Sequence, residues 1–123
     1  MGASFVRFGG HGFWSRDGFV EDWLQQLIGE IDGLSTRPEW LVRARDHWHL
    51  QSTAGFNGCV DCSFDELLSE QSRRDLVLEL ALRVLERASM TRGESTAADL
   101  FVRLLRGEIR TTVTSPKDYL ARD

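Results

Sequence analysis

Apolar residues recur at helical spacing along residues 17–33, and this pattern constrains the fold more than any other feature of the chain. Asp17 is a residue type that favours the N-cap position, and Gly33 stands where a helix-ending glycine is common. The sequence therefore predicts an amphipathic helix that packs on a core through one face. That face consists of Phe19, Val20, Trp23, Leu24, Leu27, Ile28 and Ile31.

Three glycines around His11 precede this helix. Gly9, Gly10 and Gly12 predict a flexible turn. A phosphate-binding loop is excluded because no Gly-Lys-Ser/Thr follows them. The stretch Gly12-Phe-Trp-Ser-Arg-Asp17 adds aromatic bulk and a capping residue, so we interpret it as the turn that enters the helix.

Capping signals and apolar spacing predict further helices. Thr36-Arg-Pro-Glu39 has the pattern of a capping box with proline in the first turn, and Ser63-Phe-Asp-Glu66 repeats the capping pattern. We expect residues 63–89 to form a short helix and then a long one that restarts at Ser72–Asp75. The spacing of apolar residues over 95–106 predicts another helix, which packs through leucine and phenylalanine side chains.

The two ends of the chain contain the segments that most resemble strands. Residues 4–8 predict a short strand or an extended arm, and the β-branched run 109–114 predicts a strand that pairs with it or an extended tail. We predict an all-α fold in which residues 1–123 form a single helical domain. About five helices make one compact bundle, and a minor two-stranded element that pairs the terminal segments remains open.

Composition excludes several classes of function. No apolar run approaches the roughly 18 residues of a membrane span, and the N-terminus lacks a basic segment followed by an apolar one. The net charge of −4 makes nucleic acid a poor partner and a basic protein a better one. We therefore predict a soluble cytoplasmic protein without a cofactor, and with neither a nucleic-acid nor a membrane partner.

The strongest candidate for chemistry is Cys59-Val-Asp-Cys62, with His47 and His49 upstream. Cys-x-x-Cys is a good half-site for zinc. The two histidines, however, point about 200° apart on a helix and converge only if the helix ends before them. The same cysteines could act as a redox dithiol, or as nucleophiles activated by histidine. No local catalytic signature supports these alternatives, so we predict that the protein is not an enzyme.

Acidic residues are concentrated in two segments. Residues 17–33 contain five acids and no base, and residues 61–70 contain four acids and no base. A solvated helix face is the usual interpretation of such a run of charges. Two of these acids, however, lie at the C-terminal end of the predicted helix, where the helix dipole disfavours them, and this leaves a binding face open as the alternative. Adjacent segments would form one patch that steers a basic partner. The candidate partner-binding residues are Asp17, Glu21, Asp22, Glu30, Asp32, Asp61, Asp65 and Glu66.

A resemblance to a class of small bacterial proteins spans most of the chain. It rests on Gly12–Asp17, Pro38-Glu-Trp-Leu41, Gly58-Cys59 and Phe101-Val-Arg-Leu-Leu-Arg-Gly107. As a compact and acidic domain, the chain resembles the immunity proteins that accompany secreted polymorphic toxins. The resemblance implies a cytosolic protein that binds its cognate toxin and occludes the active site, with no catalytic residues to transfer.

Three hypotheses of function follow. The first is an immunity-type protein whose acidic surface neutralises a cognate protein toxin. The second is a helical adaptor or regulatory domain that homodimerises through a spare apolar face. The third is a small zinc- or thiol-dependent protein that uses Cys59 and Cys62. The sequence leaves the oligomeric state and the identity of the toxin open.

Overall fold

A β-hairpin at the N-terminal end of the chain leads directly into a set of five helices in the computed structural model, which describes residues 3–53, 60–87 and 92–109. The prediction of a helical bundle with a minor two-stranded element is confirmed, although "all-α" is too strict a class for it. The elements are β1 (Ala3–Phe8), β2 (His11–Arg16), α1 (Asp17–Asp32), α2 (Glu39–Thr53), α3 (Phe64–Leu67), α4 (Gln71–Glu86) and α5 (Arg92–Leu105).

The strand predicted over residues 4–8 is confirmed as β1, and the turn predicted around His11 is confined to Gly9 and Gly10. His11 and Gly12 belong to β2, so the stretch that we interpreted as a turn entering the helix is a strand. β1 and β2 pair antiparallel, with Phe5 opposite Trp14 and Val6 opposite Phe13. Gly9 and Gly10 form the connection and have φ angles of 62° and 82°. Tight hairpin turns require this left-handed conformation, and glycine adopts it without steric cost.

The predicted pairing between residues 4–8 and 109–114 falls mostly on residues outside the described part of the chain. β1 takes its partner from β2, its neighbour in the chain. Ile109 is buried and is not part of a strand, and residues 110–114 lie outside the described part of the chain.

Helix α1 lies at the centre of the fold and contacts α2, α4, α5 and the hairpin. Six of the seven apolar residues predicted on its inner face are buried, and Phe19 is half-buried. Trp23 stacks on Phe101 of α5, with ring centroids 3.6 Å apart and planes within 3° of parallel. Phe13 of the hairpin meets the Phe101 ring edge-on at 5.2 Å. An aromatic cluster therefore fixes the hairpin against α1 and α5.

Several helix starts differ from those that the capping patterns predicted. Arg16 is the N-cap of α1, so Asp17 is its first helical residue. The Pro38 carbonyl accepts the first backbone hydrogen bonds of α2, so this helix begins after the proline and not at a Thr36 cap. Ser63 precedes α3 in a left-handed conformation with φ of 51°, and its side chain makes no capping bond. Among the described residues, no helix is both long and apolar enough to cross a membrane.

Candidate functional site

The segment that contains Asp61, Cys62 and Asp65 runs beside β1. The Ser4 hydroxyl, which is fully buried, accepts a hydrogen bond from the Val60 amide at 2.7 Å. At the other end of the strand, the Gly9 amide donates to the Asp65 carboxylate at 2.8 Å. Residues 60–65 therefore follow the strand from its first residues to its turn.

The same Ser4 hydroxyl donates a hydrogen bond to the Asp17 carboxylate. One buried hydroxyl thus bridges the first residue of α1 and the start of the segment beside β1. The first residue of one acidic segment therefore lies close to the residue that precedes the other.

Side chains of α2 hold the other backbone groups of this segment. His47 donates from Nε2 to the Asp61 carbonyl at 2.9 Å, and the Trp48 indole donates to the Cys62 carbonyl at 2.7 Å. The Gln51 side-chain oxygen accepts from the Asp61 amide at 2.9 Å. The bond to the Cys62 carbonyl is buried, where a backbone group needs such a partner, and the two bonds to Asp61 lie at the surface. Together they fix the path of the chain.

Five of the eight predicted acids have no cationic partner among the described residues. We call these five residues the acidic rim: Asp17, Glu21, Asp61, Asp65 and Glu66. Four of them lie beside the hairpin: Asp17 directly follows β2, and Asp61, Asp65 and Glu66 line the cleft next to β1. Glu21 lies one helical turn beyond Asp17 on the same side of α1. Two acids on α4, Asp75 and Glu86, also lack a cationic partner in this part of the chain, but they are outside the predicted surface.

The acids at the C-terminal end of α1 are neutralised within the chain. Glu30 pairs with Arg87 at 2.7 Å, and its side chain is only 9% exposed. Asp32 receives two hydrogen bonds of 3.1 Å from Arg45, whose guanidinium lowers the pKa of that carboxyl. These ion pairs offset the unfavourable helix dipole, so the position of the two acids no longer indicates an external partner. Asp22 is exposed on α1.

A small cleft separates β1 from the segment beside it. Its volume is about 100 Å³. The walls are Phe5, Val6 and Arg7 on the strand side and residues 61–66 on the other. A space of this size holds a few water molecules or the end of one side chain, so it is no substrate pocket.

The predicted zinc ligands do not converge. Helix α2 continues through His47 and His49 to Thr53, so the two rings point away from each other. His47 is bonded to the Asp61 carbonyl, and His49 is exposed. The described residues contain no group of three or more His, Cys, Asp or Glu side chains placed to hold a metal. Cys59 lies outside these residues.

Cys62 does not have the environment of a reactive thiol. Its side chain is buried, and desolvation, with a smaller effect of the Asp61 charge, raises the pKa of the thiol far above its ordinary value. Burial therefore outweighs the lowering of a thiol pKa that a helix N-terminus can produce. The thiol stays protonated at neutral pH.

Sequence reasoning missed three residues of this region: Ser4, Arg7 and Arg16. Alternation along β1 places Ser4 on the same face as buried Val6, a signal that was present in the sequence. Arg7 and Arg16 can be recognised as unpaired only from the structure, because it shows which of the other arginines form ion pairs.

Comparisons with models of known protein families, with curated proteins and with solved structures found no match.

Proposed function

We propose that this protein is an immunity-type inhibitor that binds a cognate protein toxin through the acidic rim and covers its active site. The observation that carries the proposal is that Asp17, Asp61, Asp65 and Glu66 lie beside one hairpin, with Glu21 one helical turn from Asp17, and that none of them has a cationic partner in the described chain. Of the sixteen acids whose side chains the structure describes, eight form internal ion pairs, and five of the other eight belong to the rim.

The acidic rim is suited to meet a basic surface. An excess of charges of one sign on one side of a protein, here five acids against two arginines, raises the rate of encounter with an oppositely charged partner, and this effect decreases with ionic strength. Toxins that act on nucleic acids present basic substrate grooves, so an acidic inhibitor can occupy such a groove in place of the substrate.

The rim is held in place before any partner binds. Asp17 is bonded to Ser4, Asp65 to the Gly9 amide, and Asp61 to the Ser63 amide at 2.9 Å. Three of the five carboxylates are thus oriented by the fold. Binding then loses less side-chain entropy than it would with freely rotating acids.

The experiment that tests the function is affinity capture of the tagged protein from its native host, with the neighbouring reading frames expressed. We expect one basic toxin at one-to-one stoichiometry and loss of its activity in the complex. Capture of no partner by the folded protein, under conditions in which those frames are expressed, would contradict the proposal.

Charge reversal then locates the interface. Glu21→Lys and Glu66→Lys remove rim acids that make no hydrogen bond in the described structure, so the fold should be retained. We expect the double variant to associate with the toxin at least about tenfold more slowly at low salt. Glu39→Lys with Glu79→Lys is the matched control, because these acids lie on α2 and α4 outside the rim. Equal association rates for both double variants would exclude the rim as the steering surface.

A further inference from the structure

Arg7 and Arg16 differ from the other arginines whose side chains the structure describes. Both side chains are exposed, and neither guanidinium has a carboxylate or other hydrogen-bonding partner within the described residues. Arg16 lies 5.8 Å from the centre of the Phe19 ring, a contact that leaves its charge unneutralised. The arginines with a polar partner are Arg37, Arg43, Arg45, Arg73, Arg74, Arg83, Arg87, Arg103 and Arg106.

The two unpaired arginines lie on one face of the hairpin. Alternation places Phe5 and Arg7 of β1 on the side opposite to buried Val6, and the register places Trp14 and Arg16 of β2 on that side too. We call these four residues the hairpin face. Phe5 and Trp14 are paired across the strands with ring centroids 5.3 Å apart, and both are half-buried.

The arginines stand at opposite ends of this aromatic pair. Arg7 is opposite Gly12. Arg16 is opposite Ala3, which lies four residues before Arg7 in β1. At about 3.3 Å per residue, the two Cα atoms are separated by about 13 Å along the ribbon. The hairpin face therefore has an aromatic centre and a positive charge at each end.

The acidic rim borders the same face. Asp17 directly follows Arg16 in the chain, and Asp61, Asp65 and Glu66 share the cleft beside β1 with Arg7. Unpaired charges of both signs therefore surround one aromatic pair. No ion pair joins the two sets in the described residues, so both keep their charge available for a partner.

We propose that the hairpin face is a dimer interface that receives a second copy of this chain. An interface with two-fold symmetry uses the same patch on both subunits, so the patch must be complementary to itself. Here the arginines of one copy can meet the rim acids of the other, with the aromatic pairs at the centre. A polyanion fits less well because the rim acids on both sides of the arginines would repel it.

The size of the face predicts a weak dimer. A six-residue ribbon is about 20 Å long, so the buried area falls below the roughly 1,200 Å² at which stable interfaces begin. Its association should depend on protein concentration and decrease with salt. This inference is independent of the proposed toxin, although a toxin that binds the rim would compete with the second copy.

The test is sedimentation equilibrium of the full chain from about 10 μM to about 1 mM, at low salt and at about 0.5 M salt. We expect a monomer–dimer equilibrium that salt shifts toward monomer. Arg7→Glu with Arg16→Glu should weaken dimerisation at least about tenfold, because each dimer contains the reversed charges twice. Arg43→Glu with Arg83→Glu, on α2 and α4, is the matched control and should leave the equilibrium unchanged.

Mixing of charge-reversed variants provides the decisive measurement. The Arg7→Glu/Arg16→Glu variant and a Glu21→Arg/Glu66→Arg variant should each be monomeric alone and should form a heterodimer when mixed. Circular dichroism of each variant establishes that it is folded. A wild-type monomer at about 1 mM in low salt would overturn the proposal, and so would a dimer that survives the arginine reversal. Binding of oligothymidylate to the monomer, abolished by that reversal, would instead assign the face to nucleic acid.

Discussion

Ser4→Ala tests whether one buried hydroxyl joins the hairpin, α1 and the segment beside β1. The substitution removes a single oxygen and introduces no steric conflict. It leaves the amide of Val60, a residue only 3% exposed, without its acceptor, and the Asp17 carboxylate without its donor.

The expected loss follows from these two bonds. A buried backbone N–H that loses its only partner costs about 1–3 kcal/mol. The Asp17 bond is to a charged group, but Asp17 is half-buried and water replaces part of the lost contact, so we add about 0.5–1 kcal/mol. The free energy of unfolding should therefore fall by about 2–3 kcal/mol, and the Tm by about 10 °C.

Urea unfolding followed by tryptophan fluorescence measures this change. Ser52→Ala is the matched control. Its hydroxyl bonds Gln25 and the His49 carbonyl at an exposed site, so its loss should cost less than about 0.5 kcal/mol. If Ser4→Ala costs no more than this control, the hydroxyl does not bridge buried groups and the reasoning is refuted. Faster hydrogen exchange at the Val60 amide would assign the loss to that bond.

Three further predictions concern other parts of the molecule. Gly12→Ala should lower the free energy of unfolding by about 2–4 kcal/mol, as measured by thermal unfolding, because its Cβ would lie 2.2 Å from a backbone oxygen of β1. Gly18→Ala, which has open space around it in α1, should leave the free energy of unfolding unchanged or raise it. Asp32→Asn should cost less than about 1 kcal/mol at pH 7, since the group is exposed. The folded-state pKa of Asp32 is lowered, so this difference in stability should disappear as the pH falls below the ordinary pKa of 3.8, where protonation removes the ion pair from wild type. Equal pH dependence of the unfolding free energy in wild type and variant would contradict this prediction. In a Cys59→Ser background, Cys62 should not react with an aromatic disulfide reagent at pH 8 until the protein unfolds, because burial raises the pKa of the thiol; rapid reaction of the native protein would exclude this.

Helical periodicity was sufficient for α1 because this helix buries one continuous stripe of side chains. The second strand of the hairpin, β2, was not predicted. Its residues Phe13 and Trp14 are adjacent and face opposite sides of the sheet, one into the core and one outward. Two consecutive aromatic residues after glycines do not show the alternation of apolar and polar residues that identifies a strand, so the sequence does not distinguish a strand from a turn here. The two faces are distinguished only by what packs against them.

The acidic surface was predicted in part. The sequence indicated which segments are acidic, but it could not show that Glu30 and Asp32 pair with Arg87 and Arg45 from other helices. Such pairs depend on how helices pack, because the partners are distant in the chain. The same limit applies to Arg7 and Arg16, which lack partners among the described residues because of how the fold places them.

The segment from Val60 to Cys62 is held by side chains of β1 and α2, and this arrangement implies an order of folding. Its binding sites on Ser4 and Trp48 belong to two different elements, and both must already be in place before the segment can dock. We expect docking to follow the main folding barrier. Substitutions that weaken it should then accelerate unfolding while leaving the folding rate nearly unchanged.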